Sequence, residues 1–250
     1  MILTSGCRST SSGTAYERHF SAPIWSAAAA EPFEHSPERE LLYGIGGLTL
    51  LGAPFDSDIS GDGAEDHVLT AGKTLPGDAL AILLGGAALG YGGWEWGHAG
   101  DSRNFEIAAE GLAATEAAVL ALKFATQRRR PQGGNHDSFP SGHTAFAFAG
   151  ATLLARAIED DTQSRLGYWL YVPALYVGID RIEAGKHFFT DVGFGALLGI
   201  FVADWVHAAH RADAGDGRPV IFDERKPGVA FTVQPYADEE SRGLSLGWSF

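Results

Sequence analysis

The sequence predicts an all-α protein: a bundle of about six helices with a small C-terminal β-hairpin. Three observations carry that prediction. Apolar stretches rich in Ala and Leu recur between Leu41 and Val206, and each suits a buried helix better than a strand. Many of the 33 glycines fall inside these stretches, where they permit close helix packing. Near the end of the chain the pattern becomes alternating, which is a strand signal.

Residues 1–37 are rich in Ser, Ala, Glu and Pro without periodicity and read as an N-terminal arm. Cys7 lies there, in Leu3-Thr4-Ser5-Gly6-Cys7-Arg8-Ser9-Thr10. Small residues before a cysteine and polar ones after it resemble a bacterial lipoprotein cleavage site, although no basic region or long apolar region precedes it. Two readings follow: a truncated start with a lipid anchor, or an ordinary thiol in a tail.

Residues 38–208 carry the helical pattern. Its segments are Leu41–Ala53, the uncharged Ala79–Trp94, the amphipathic and alanine-rich Phe105–Gln127, Thr144–Ala155, Leu166–Ile179 and Val192–Val206. A membrane span needs ~20 mostly apolar residues. A charge interrupts each run sooner, as at Asp78 and Glu95 or at Asp191 and Asp204. With a mean hydropathy of −0.03, a water-soluble or peripherally attached bundle is expected. Ala79–Trp94 and Val192–Val206 come nearest to short spans. Residues 209–250 read as a polar linker and two strands, Phe231 and Val233 on one and Leu244, Leu246, Trp248 and Phe250 on the other. A terminal aromatic on an alternating strand also resembles the end of an outer-membrane barrel, but two strands close no barrel.

Composition removes several function classes. A net charge of −13 argues against non-specific nucleic-acid binding. One cysteine allows no internal disulfide and no thiolate-built zinc site. No HExxH-like pattern or carboxylate cluster suggests a metal. Against this acidic background Lys123, Arg128, Arg129, Arg130 and Arg181 stand out.

Three short patterns carry chemistry. Lys123 and Arg130 are seven residues apart, two helical turns, with Pro131 ending the helix. Taken alone they read first as a basic helix end satisfying the dipole, and otherwise as an oxyanion clamp. Phe139-Pro140-Ser141-Gly142-His143-Thr144 then turns into an apolar helix, placing orphan N–H groups where phosphate binds well. Ser141 can cap that helix or donate to the anion, Gly142 permits close approach, and His143 can protonate a leaving oxygen. Last, His187 and Asp191 are spaced i, i+4, so on a helix the carboxylate accepts the Nδ1 proton and frees Nε2 as a nucleophile. Arg181 offers a bidentate donor to phosphate.

Taken together, Lys-x6-Arg-Pro, Pro-Ser-Gly-His and Arg-x5-His-x3-Asp resemble the type 2 phosphatidic acid phosphatase (PAP2) superfamily of bacterial acid phosphatases, lipid phosphatases and vanadium haloperoxidases. Gly134-Asn135-His136-Asp137-Ser138-Phe139 looks like soluble or envelope-located bacterial members. The resemblance implies a metal-independent phosphatase of the bacterial envelope, on its periplasmic side. Its substrate would be a phosphorylated lipid such as phosphatidate, or a small phosphomonoester, with contact to a membrane surface. It implies that His187 becomes the phosphohistidine, Asp191 orients it and His143 is general acid and then base. Lys123, Arg130, Ser141, Gly142 and Arg181 would hold the phosphate oxygens, with no cofactor. Two departures stand out: Asp180 replaces the family's usual Ser, and only eight residues separate Pro131 from Pro140. A carboxylate at 180 either pairs with Arg181 and weakens its grip or points outward. The rival readings are a haloperoxidase holding vanadate on His187, and a non-catalytic envelope protein that binds anionic headgroups.

Overall fold

The computed structural model describes residues 25–26, 28–34, 36–60, 76–213, 230–237 and 242–249. Cys7 and most of the expected linker lie outside them. The chain divides into two compact units after residue 217, each described by itself. The fold supported for the chain is the helical bundle of the first unit. The second unit spans residues 218–250. The expected hairpin falls there, and nothing about the bundle rests on it.

Among the described residues the bundle consists of α1 (Glu31–Glu34), α2 (Arg39–Gly52), α3 (Asp56–Ser60), α4 (Gly77–Ala99), α5 (Arg103–Thr126), α6 (Gly142–Thr162), α7 (Tyr171–Glu183) and α8 (Phe189–Asp213). At its centre is α6, whose residues from Thr144 to Ala157 are almost all buried. An apolar helix buried all round needs small side chains if neighbours are to reach it from every side. Alanine and glycine supply them here. A Cβ on Gly150 would stand 2.7 Å from the backbone of Gly85 on α4, and one on Gly199 of α8 would stand 2.2 Å from the Ala145 carbonyl. The three helices therefore meet nearly backbone to backbone.

The expected helices are present, but most run beyond their expected ends. Charges read as interruptions are absorbed instead. Asp204 is buried and accepts from Arg156 Nε at 3.0 Å, so α8 continues to Asp213. Glu95 accepts from Asn104 at 2.6 Å, so α4 runs through it to Ala99. The expectation that every run falls short of a span is corrected for one helix: Phe189–Ala212 is long and apolar enough to cross a membrane. Two thirds of its most apolar window is buried inside the bundle. Trp25 and Ala28, in the segment read as an arm, pack on α8, where Trp205 Nε1 donates to the Trp25 carbonyl at 2.8 Å.

Candidate active site

The ends of α5, α6 and α8 bring the three sequence patterns together. Helix α5 stops at Thr126, four residues before Arg130, because Gln127 takes a left-handed conformation and its N–H closes on the Lys123 carbonyl. Arg130 thus projects from a loop and not, as expected, from the helix that carries Lys123. The two still converge. Lys123 Nζ donates to the Asp137 carbonyl, and Arg130 forms a fork on the Asp137 carboxylate at 2.9 and 3.1 Å.

A cavity of about 370 Å³ opens here. Lys123, Arg130, Gly142, His143 and His187 supply its polar lining, with Asp137 and Glu116. Its apolar wall comes from α4, α5 and α6: Ala81, Ile82, Val119, Leu120 and Phe146. A polar corner holding Lys123 and Arg130 against an apolar wall suits an amphiphilic anion. Among the described residues no set of His, Cys, Asp and Glu side chains is grouped to hold a metal.

His187 is almost fully buried, in the turn just before α8. Its Nδ1 lies 2.6 Å from the Ser138 carbonyl oxygen. A carbonyl only accepts, so Nδ1 carries the proton and Nε2 keeps its lone pair. Asp191 Oδ2 is 3.9 Å away, too far for the hydrogen bond expected of it. The i, i+4 geometry fails because the helix starts after His187. Asp191 acts one step removed: its buried carboxylate accepts from Ser138 Oγ at 2.5 Å, from the Phe188 N–H at 2.9 Å and from Arg128 Nη1 at 2.7 Å. Ser138 joins the two, with its carbonyl on the histidine and its hydroxyl on the aspartate.

Burial, reinforced by the positive field of Lys123, Arg130 and Arg181, lowers the His187 pKa to about 3 despite the carbonyl contact. The imidazole is therefore neutral at ordinary pH. His143 is also lowered from 6.5, first by burial and then by the same cations, although Asp78 opposes the shift. Burial likewise lowers Lys123.

Arg181 does not line the cavity. It is buried and paired with both Asp180 and Asp78, and Asp78 also meets His143 Nε2 at 3.2 Å. Of the two readings of Asp180, the structure has the inward one. Ser141 is fully buried: its N–H donates to the Asp191 carbonyl at 2.9 Å and its hydroxyl meets Thr144 Oγ1 at 2.9 Å. The hydroxyl makes no cap bond to the backbone of α6. Ser138, Arg128, Asp56 and Asp78 went unread as site residues. Arg128 stood out by charge alone, and the others carry no spacing signal.

Two imidazoles, Lys123 and Arg130 thus meet in one cavity at the ends of the helices. The PAP2 superfamily model matches residues 107–214, a stretch containing all three patterns, so that part of the chain is similar to the superfamily. Over 96 residues it is 41% identical to a lipid A 1-phosphatase of Porphyromonas gingivalis, covering 38% of this chain and 21% of the relative. A probable lipid phosphate phosphatase 4 of Arabidopsis thaliana is 39% identical over 80 residues, 28% of this chain and 26% of the relative. A probable diacylglycerol pyrophosphate phosphatase 1 of Schizosaccharomyces pombe is 33% identical over 76 residues, 26% and 27% respectively. The chain spans about a quarter of the length of each. No solved structure matches it.

Proposed function

We propose that this protein hydrolyses lipid phosphate monoesters through a phosphohistidine on His187, at a membrane surface of the bacterial envelope. The observation that carries the reading is a single cavity that gathers Lys123, Arg130, His143 and His187 against an apolar wall. Relatives named as lipid phosphatases support the substrate class. Ile82 and Leu120, which line the cavity, are themselves exposed, so its apolar wall reaches the surface and supports membrane contact.

In the first step the Nε2 lone pair of His187 attacks phosphorus in line, and the bond to the ester oxygen breaks. His143 gives its proton to the departing alkoxide. In the second step His143 takes a proton from water, the hydroxide attacks phosphorus, and the P–N bond breaks to release phosphate. Charge spreads over the phosphoryl oxygens in the transition state, so positioned cations and N–H donors supply most of the stabilisation. Lys123, Arg130 and the Gly142 N–H are placed for this. Arg181 joins when phosphate draws it from Asp78. No step here needs a metal, and vanadate, which resembles the transition state, is expected to inhibit.

The test uses purified protein with phosphatidate in detergent micelles and para-nitrophenyl phosphate in solution. His187→Asn should lose at least about a thousandfold in kcat, since removing a nucleophile leaves only binding and oxyanion stabilisation. Quenched wild-type enzyme should carry acid-labile, base-stable phosphate. Near-normal turnover in His187→Asn would end this reading.

A further inference from the structure

The geometry points to Arg128, held in turn by Asp56, as a positioning residue that sets the His187 imidazole through Asp191 and Ser138. This inference rests on the proposed role of His187. Arg128 lies outside the residues that line the cavity, yet it grips its supports from two sides. Its backbone carbonyl accepts the Ser138 N–H at 2.9 Å, and its Nη1 donates to Asp191 at 2.7 Å and to Thr190 Oγ1 at 2.8 Å. Ser138 in turn offers its carbonyl to His187. The guanidinium also stacks 4.3 Å from the centre of the Phe188 ring, beside the nucleophile in sequence.

Asp56 completes the arrangement from α3, remote in sequence. Its Oδ2 accepts from Arg128 Nη2 at 2.6 Å and from Thr190 Oγ1 at 2.7 Å, and its Oδ1 accepts the Thr190 N–H at 2.8 Å. The guanidinium is thus fixed between two carboxylates, the buried Asp191 on α8 and Asp56 on α3. A ligand held by such a support is oriented by it, and a displacement of ~1 Å at a nucleophile costs up to about a hundredfold in rate.

The experiment compares kcat and KM of the full chain on para-nitrophenyl phosphate for wild type, Arg128→Ala, Asp56→Asn and His187→Asn. Arg128→Ala should lower kcat about ten- to a hundredfold with KM within about twofold, as expected of lost positioning. Added guanidinium at tens of millimolar should restore part of kcat, which a merely unfolded variant would not permit. Asp56→Asn keeps the shape and should lose about three- to tenfold, with the melting temperature nearly unchanged. Unchanged kcat in both variants would overturn the proposal, as would loss in Arg128→Ala without guanidinium rescue. A readout independent of turnover separates this from failure of the phosphatase reading. The downfield Nδ1 proton resonance of His187, assigned by its absence in His187→Asn, should shift or broaden in Arg128→Ala. If it stays in place, Arg128 does not position the ring, whatever reaction the ring performs.

Discussion

At the residue scale, the two histidines are set apart by their surroundings. His187 is neutral down to about pH 3, so the proposed nucleophile is available throughout the ordinary range. The proposed first step needs a proton on His143, and the pKa of that group lies below 6.5 because it is half-buried among cations. The rate of phosphoenzyme formation should therefore fall as pH rises through a value below 6.5, where His143 loses the proton it must donate. A pre-steady-state burst measured from pH 4 to pH 8 should show this limb, and His143→Asn should abolish it. A limb centred above 6.5 would assign the acid to another group. Both histidines and Lys123, which the cavity gathers, were legible in the sequence by type and spacing. Ser138 was not, because a backbone carbonyl can come from any residue. Asp56 was not, because its partner lies 72 residues on.

At the element scale, the apolar runs of alanine, leucine and glycine were enough to predict the helices. Their ends were not, since they depend on tertiary partners. Nothing local to Asp204 tells that Arg156 waits across the bundle to receive it. The small-residue contacts of α6 give a test. Gly199→Ala places a Cβ 2.2 Å from the Ala145 carbonyl and should destabilise by about 1–3 kcal/mol through forced displacement of α8. Gly86→Ala meets nothing within 4 Å on α4 and should be neutral or add about 0.5–1 kcal/mol. Chemical denaturation of the two variants checks the contrast, and equal effects would refute backbone contact as the basis of this packing.

At the scale of the whole molecule, one buried guanidinium ties the N-terminal segment to the bundle. Arg156 lies 2.8 Å from Glu38 and 2.5 Å from Asp204, one positive charge between two carboxylates. Full burial, with Asp204 nearby, raises Glu38 from 4.5 to about 7 although Arg156 opposes the shift. The folded state thus takes up a proton there that the unfolded chain releases above 4.5. The stability this contributes is complete below pH 4.5 and is lost as pH rises through about 7. Glu38→Gln, which cannot ionise, should show a smaller loss of denaturant midpoint between pH 5 and pH 8 than wild type. A parallel loss in both would remove Glu38 as its source.

Under the proposed function, the carboxylates that face Lys123, Arg130 and Arg181 also govern how substrate arrives. Asp137, Asp78 and Asp180 offset those cations, on a protein whose net charge is −13. Long-range attraction cannot then recruit an anion, and the molecule as a whole repels it. Raising ionic strength should accelerate capture of a water-soluble phosphate ester, the reverse of the slowing seen where basic funnels guide their ligands. For an ester carried on acyl chains, delivery falls to greasy contact, and charge begins to act only once the headgroup is already inside.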